Sequence, residues 1–450
     1  MQAQTLTLRD ALERAGGAAY PNRIAAGTAA AERGQATAAL RGILPSLRIE
    51  GGFARTSDPL GAIGTTLRQR SITQPDFDPA RLNRPPAISN YLGGIVLDQP
   101  LFNADAFIGH RAALRGVAAS RASSDWTRAG TSVDVIRAYY GATLANEKVA
   151  TLTAAKRAAQ AHVRQAEAMV RNGLVTKSDA LLAAIKAGDI EAQLADADAQ
   201  ARTAIRQLVL VLGTGSKFAP SLPDQLPSAG RIRAVVAADT VAASTNPRAD
   251  VEAALLGMEA ARLDAERARS LYLPRLNGFA RYDWNSAARP FGGEKSWTVG
   301  VMASWSPFAG AGEIAERQST GGRADAARAM ADAAAERAHL DAEQTGNALR
   351  AAFARLAIAE RSVLQSAEAH RIVARKYEGG LATVMELLDA AAIDTQTALG
   401  LSAARYALIT SAAERRRALG LDPATLAALD AHDGTTVPGA TPTDDQDFSR

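Results

Sequence analysis

Catalysis needs nucleophiles, titratable groups or metal ligands at workable spacing, and this chain offers few. It has no cysteine, which excludes disulfides, cysteine nucleophiles, thiolate metal sites and an N-terminal lipid-bearing cysteine. Its histidines (His110, His162, His339, His370 and His432) are scattered and show no metal-ligand spacing. The stretch "GLVTKS", Gly173 to Ser178, resembles a phosphate loop but lacks the second glycine before the lysine. "GAG" at Gly310–Gly312 lacks the third glycine of a dinucleotide fingerprint. No catalytic residue, cofactor or metal site is expected, and the chain reads as a non-enzyme. One acidic pair stands out. Glu386 and Asp389 are three residues apart, so a helix places them on one face. Taken alone, such a pair reads as a solvated acidic face.

Composition indicates what carries these residues. Hydrophobic residues make up 47% of the 450, but aromatics only 5%. Much of the apolar content is alanine, which favours helix and adds little core volume. Close-packed thin helices fit this better than a thick globule. Charged residues are 22%, mixed in sign, with a formal net charge of +4. No lysine- or arginine-dense stretch alternates with aromatics, so no nucleic-acid partner is expected. No run of about 18 apolar residues exists, hence no membrane-spanning helix. The start, "MQAQTLTLRDAL", is expected to be a mature N-terminus from which a secretion signal has been removed.

The chain is written twice. The shift that lays Gly173-Leu174 on Gly380-Leu381 also lays Thr176 on Thr383, Asp179 on Glu386 and Leu181 on Leu388. It carries Leu212-Gly213 onto Leu419-Gly420 and Pro100 onto Pro307. Upstream, "ILPSLRIEGGFAR" (Ile43–Arg55) matches "YLPRLNGFARYDW" (Tyr272–Trp284) at a larger shift, so the first copy holds extra residues. These lie among Pro59, Pro75, Pro79, Pro85 and Pro86 and read as an enlarged loop. The expected division is a first repeat over 1–213, a connector over 214–246 with Pro220, Pro223 and Pro227, a second repeat over 247–421, and a polar, mobile tail over 422–450.

Each repeat runs helix, Leu-Pro, two strands, a very long helix, a short break and a second helix. In the second repeat, Trp297, Val299, Val301, Ala303 and Trp305 alternate with Thr298, Gly300, Met302 and Ser304. Leu276, Gly278, Ala280, Tyr282 and Trp284 alternate with Asn277, Phe279, Arg281 and Asp283. Period two with one apolar face predicts strands at about 275–285 and 296–305, and weaker counterparts at about 46–56 and 88–98. Trp297 and Trp305 would lie roughly 26 Å apart along a strand, near the ~25 Å apolar band of an outer-membrane barrel with its aromatic girdles. Trp284, Trp297 and Trp305 are therefore candidate membrane-interface aromatics, with a soluble hairpin as the alternative. No proline interrupts about 103–171, which predicts a helix of about 100 Å. Shorter helices follow at about 178–212 and, after a long helix ending near 377, at about 383–419. Leu388, Ala392, Thr395, Leu399, Ser402, Tyr406, Ile409 and Ala413 form a heptad seam, so these arms should pair as coiled coils.

"RNGLVTKSDALL" (Arg171–Leu182) and "YEGGLATVMELL" (Tyr377–Leu388) break those helices. Glycine accepts the left-handed backbone that ends a helix. Thr176 or Ser178 can cap the returning helix, with Asp179 near its positive end. Each stretch is a helical hairpin tip, and the pattern "G-L-x-T-x-x-[D/E]-x-L" recurs in both.

Together these residues resemble the TolC family of outer-membrane efflux proteins over nearly the whole chain. The motifs carrying the resemblance are "LPSLRIEGGFAR", "LPRLNGFARYDW", the "QPLF" at Gln99–Phe102, and the two tips. The resemblance implies a mainly helical chain with a β-barrel portion. Three copies would close a 12-stranded outer-membrane barrel continuous with a periplasmic α-helical barrel that tapers to the tips. Open strand edges are not tolerated in lipid, so four strands alone cannot form such a barrel. The implied partners are two further copies of the chain, outer-membrane lipid, a periplasmic adaptor protein and, indirectly, an inner-membrane transporter. Arg171, Gly173, Leu174, Asp179, Leu181, Gly380, Leu381 and Leu388 would face the adaptor; Leu181 and Leu388 also admit a purely structural role. Glu386 and Asp389 match the acidic rings of the entrance. Tyr377 and Asp179 match partners of the periplasmic gate, but Ala382 stands where the gate arginine is expected, leaving Lys177 as a substitute. The implied function is passive export from the periplasm. Protein secretion of type I is preferred for want of a lipid-bearing cysteine; a multidrug-efflux channel is the alternative, and a soluble coiled-coil scaffold or adhesin stalk a remoter one.

Overall fold

The computed structural model describes residues 5–239, 248–308 and 310–430. Residues 1–4, part of the expected connector (240–246) and 431–450 of the expected tail lie outside the described residues. Along the chain the helices are α1 (Leu8–Ala18), α2 (Tyr20–Ala39), α3 (Pro59–Arg68), α4 (Pro79–Asn83), α5 (Ala104–Arg171), α6 (Lys177–Leu212), α7 (Ala229–Asp239), α8 (Ala249–Ser270), α9 (Gly312–Glu378) and α10 (Val384–Ala418). The strands are β1 (Ser46–Thr56), β2 (Ile88–Phe102), β3 (Arg275–Ser286) and β4 (Glu294–Ser304). The proline-free, alanine-rich stretches give unbroken helices of 68 residues in α5 and 67 in α9.

The chain forms two compact units, 1–28 with 121–253 and 332–450, and 29–120 with 254–331. Each unit takes a share of both sequence repeats, so the units are not the repeats.

In the first unit one core gathers α1, α5, α6, α7, α9 and α10. Leu8, Ile136, Tyr139, Leu208, Leu212, Ile232, Leu356, Leu408 and Ile409 are all fully buried in it. Each such aliphatic side chain contributes roughly 1.5–3 kcal/mol. Two carboxylates pin the loops to this core. Glu147 accepts from the Leu226 amide at 2.9 Å and from Ser402 Oγ at 2.6 Å, and it pairs with Arg405. Asp430 accepts from the Leu8 amide at 2.6 Å and from the Tyr139 and Tyr140 hydroxyls at 3.0 and 2.9 Å. Burial pushes both phenols well above their ordinary range, which keeps them protonated as donors. This corrects the expectation of a mobile tail from 422. Pro423–Asp430 is an ordered 3₁₀ segment with Leu426 and Leu429 buried. The heptad seam of α10 is buried at Leu388, Ser402, Ile409 and Ala413 but exposed at Ala392.

The second unit holds a single antiparallel sheet in the order β1-β2-β3-β4. The register sets Ile49 opposite Ile95, Ile95 opposite Tyr282, and Tyr282 opposite Trp297. One end of the sheet feeds the helices and the other carries loops. The loop between β1 and β2 holds α3 and α4, each started by an aspartate cap followed by proline. Asp58 accepts from the Gly61 amide and Asp78 from the Ala80 amide, at 2.7 and 2.9 Å.

Candidate functional site

The two hairpin tips have the same local construction. After α5, Gly173 takes φ 72°; its amide donates to the Val170 carbonyl at 3.0 Å and the Leu174 amide to Met169 at 2.9 Å. After α9, Gly380 takes φ 70°, and the same pair of bonds runs from Gly380 to Tyr377 at 3.0 Å and from Leu381 to Lys376 at 2.8 Å. This is the Schellman closure, which needs the glycine. Each returning helix then opens with a capping box: Thr176 with Asp179 and Thr383 with Glu386 exchange side-chain and backbone bonds. Thr176 is thus the cap, and Ser178 instead pairs with it, hydroxyl to hydroxyl, at 2.6 Å. The Thr176 bonds hold the Asp179 carboxyl below its usual range, and the Thr383 bonds do the same for Glu386.

Glycine, threonine and the acid are therefore explained by the turn itself. Leucine is not. A Schellman turn usually folds the residue after its glycine onto the helix, yet Leu174 is 68% exposed and Leu381 81%. Arg171 is exposed too. The remaining candidates divide. Leu181 is 56% exposed, whereas Leu388 is 6% exposed and joins Ala166, Ala183, Tyr377, Val384 and Leu387 in a small core that binds the two hairpins together. Leu388 therefore does not face outward from this chain, a correction to its adaptor-facing assignment. Asp389 is exposed beside Glu386.

Among the described residues no hydrogen bond joins Tyr377 to Asp179. Tyr377 is buried, and its hydroxyl has no hydrogen-bond partner among the described residues. Asp179 spends its Oδ2 on the Thr176 amide and hydroxyl, at 2.9 and 2.7 Å. Burial chiefly, and the Asp179 charge next, raise the Tyr377 pKa. Ala382 packs against the tip core, and Lys177 is exposed with no ion pair among the described residues.

In the second unit the sheet sorts its faces. Register places Leu47, Ile49 and Phe53 of β1, Tyr91, Ile95 and Leu97 of β2, Ala280, Tyr282 and Trp284 of β3, and Trp297, Val299 and Val301 of β4 on one side. Among the described residues that side is largely bare: Ile49 is 69% and Trp297 74% exposed. The opposite side carries Arg48, Glu50, Asp98, Arg281 and Asp283, tied by Arg48–Asp98 at 3.1 Å and Arg281–Asp283 at 2.7 Å. β1 and β4 each leave one edge unpaired among the described residues. Trp284 and Trp297 lie toward the loop end, with the Trp284 ring over Gly93, where a Cβ would approach it to 2.3 Å. Trp305 lies just past β4 at the helix end, its indole donating to the Tyr272 carbonyl at 3.0 Å.

Sequence reasoning missed one cluster. The rings of His162 and His370, called scattered above, come to 6.3 Å between centroids, and His370 Nδ1 lies 3.4 Å from Asp394 Oδ2. They line a cavity of about 410 Å³ with Lys186 and Asp189, where the α10 seam is open. Burial lowers the His162 pKa, with His370 adding to it. The repeat register could have found the pair, since it lays His162 beside the position of His370. Among the described residues no group of three or more histidines or acids is arranged to hold a metal ion. Among the described residues no helix is long and apolar enough to cross a membrane.

An apolar-outward sheet joined to long helices that end in paired, capped tips defines a class, and the chain belongs to the outer membrane efflux protein family, whose profile matches residues 23–214 and 243–421. It is 26% identical over 247 residues to the alkaline protease secretion protein AprF of Pseudomonas aeruginosa. That match covers 51% of this chain and spans about half (49%) of AprF. In fold it is similar to the CmeC outer membrane channel of Campylobacter jejuni, with TM-score 0.75 and 15% identity over 92% of this chain and 85% of that one. It is likewise similar to the outer membrane protein VceC of Vibrio cholerae, with TM-score 0.74 and 18% identity over 92% of this chain and 96% of that one.

Proposed function

We propose that this chain is one third of a passive exit duct in the outer membrane of a Gram-negative bacterium. The observation that carries it is the sheet: apolar and bare on one side, charged on the other, with two open edges. Unpaired edges are not sustainable in lipid, so three four-stranded sheets would join edge to edge into a 12-stranded barrel. The bare face would meet lipid and the charged face would line a wet lumen. Trp284, Trp297 and Trp305 would sit at its rims. The helices would continue the duct through the periplasm to the tips. The division into two repeats and a connector belongs to the same proposal.

At the tips, Arg171, Leu174, Leu181 and Leu381 present an unusually apolar end to a periplasmic adaptor, and Gly173 and Gly380 let its backbone approach closely. Through the adaptor the duct would receive cargo from an inner-membrane transporter. Asp389 and the free oxygen of Glu386 would form the acidic entrance, and the lowered Glu386 pKa supports its staying ionised there. Tyr377, buried in the tip core, would serve the closed gate by holding the two hairpins of one chain together. No chemical step is assigned to any residue. Likeness to a protein named for protease secretion favours polypeptide cargo.

Detergent extraction from outer membranes should give a trimer mass and a conducting pore in planar bilayers. A monomer in the soluble fraction overturns the reading and returns the scaffold alternative. Multivalent cations should block the pore, and Glu386→Ala/Asp389→Ala should relieve the block. Loss of a polypeptide from the medium on gene deletion supports protein secretion; an unchanged medium with new sensitivity to small toxic compounds assigns drug efflux.

A further inference from the structure

The enlarged β1–β2 loop does not extend away from the sheet. Gln69 Nε2, just after α3, donates to the Ser89 carbonyl at 2.9 Å and to Asn90 Oδ1 at 3.0 Å. Asn90 Nδ2 in turn donates to Asn285 Oδ1 at 2.8 Å, and both asparagines are buried. Arg70 continues the line, reaching Glu294 at 3.3 Å and the Lys295 carbonyl at 3.3 Å. It does so from a left-handed backbone, φ 48°, that non-glycine residues rarely adopt. Asn90, Asn285 and Glu294 belong to β2, β3 and β4, and by register all three point to the charged side of the sheet. The chain therefore crosses the charged face at its loop end, from β2 to β4, and leaves the apolar face bare.

We infer that Pro59–Asn83 is an inward-folded constriction at the outer mouth of the pore, which sets a size limit on cargo there. This rests on the barrel reading above, in which the charged face is the lumen. An α-helix with its side chains is roughly 10–12 Å across. Barrel diameter grows roughly with strand number: about 8 strands are filled by side chains and about 16–18 leave a wide aqueous channel, so a 12-stranded barrel is of intermediate width. Three such segments, each carrying α3 and α4, in a 12-stranded mouth would leave a narrow passage, enough for small solutes or an extended polypeptide and too small for a folded domain.

The absence of native cysteine lets single introduced thiols report alone. Thr298→Cys sits on the charged face below the loop and Val299→Cys on the apolar face. The full chain in outer membranes is treated from outside with a small maleimide and with a large polymer-linked one. The small reagent should label Thr298→Cys and spare Val299→Cys. The large reagent should label Thr298→Cys slowly, and about tenfold faster once Pro59–Asn83 is replaced by a short Gly-Ser turn, since pore width sets access. Gln69→Ala/Arg70→Ala, which only unties the segment, should shift the rate in the same direction and carries the test if the shortened chain fails to reach the membrane. Equal rates for the large reagent with and without these changes overturn the constriction. Labelling of Val299→Cys with protection of Thr298→Cys overturns the barrel reading itself.

Discussion

The two hairpin tips share their glycine, their threonine cap and their acid at the third helical position, yet they differ in what happens to the leucine that follows. Leu388 is enclosed by the other hairpin, and Leu181, its counterpart in the first repeat, faces out. Local chemistry fixes the turn identically in both, because the bonds that make it lie within a few residues. The fate of a side chain one turn further on depends on which element packs there. Duplication of sequence therefore gave two equivalent turns and two inequivalent surfaces, and the exposed one is free to bind.

That contrast can be broken or sharpened by substitution. The largest effect should come from Leu388→Ala, a buried deletion costing about 2–5 kcal/mol, against Leu181→Ala, expected within about 0.5 kcal/mol. Hydrogen exchange at the tip ends of α5 and α6 and of α9 and α10 reads both, and equal protection loss would erase the distinction. Next, Gly173→Ala and Gly380→Ala force a left-handed alanine at about 1–2 kcal/mol each. Because no atom lies within 4 Å of either added Cβ, the two costs should match. Then Thr176→Ala and Thr383→Ala should each remove about 1 kcal/mol of cap, seen as fraying at the first turns of α6 and α10. The smallest effect is in acid. Asp179 and Glu386 have lowered pKa values, so their capping contribution is complete above the ordinary carboxylate range of about 4 and lost as pH falls through the depressed values. Amide exchange at the two cap turns should quicken together in that window, and loss already at neutral pH would contradict it.

How far the sequence could be read follows the same division between local and distant. The tips were legible because glycine, threonine and the acid act within one turn. β3 and β4 were legible from alternation, whereas β1 and β2 were faint because Gly51, Gly52, Gly93 and Gly94 interrupt it, with Trp284 covering Gly93 from the neighbouring strand. The prolines after β1 read only as loop, although Asp58-Pro59 and Asp78-Pro79 are also helix starts, and only the fold shows where those helices lie. Leu388 could not be separated from Leu181 without knowing the neighbouring hairpin. The pairing of His162 with His370 required two helices more than two hundred residues apart to be brought alongside.

Asp430 has a consequence for how the molecule is made. It holds the amide of Leu8, 422 residues earlier, together with both core tyrosines. A polypeptide made amino end first must leave that early segment waiting, its greasy side chains unsheltered, until Asp430 has been added. The core around Tyr139 and Tyr140 therefore closes late, when a turn far along the chain clasps one near its beginning.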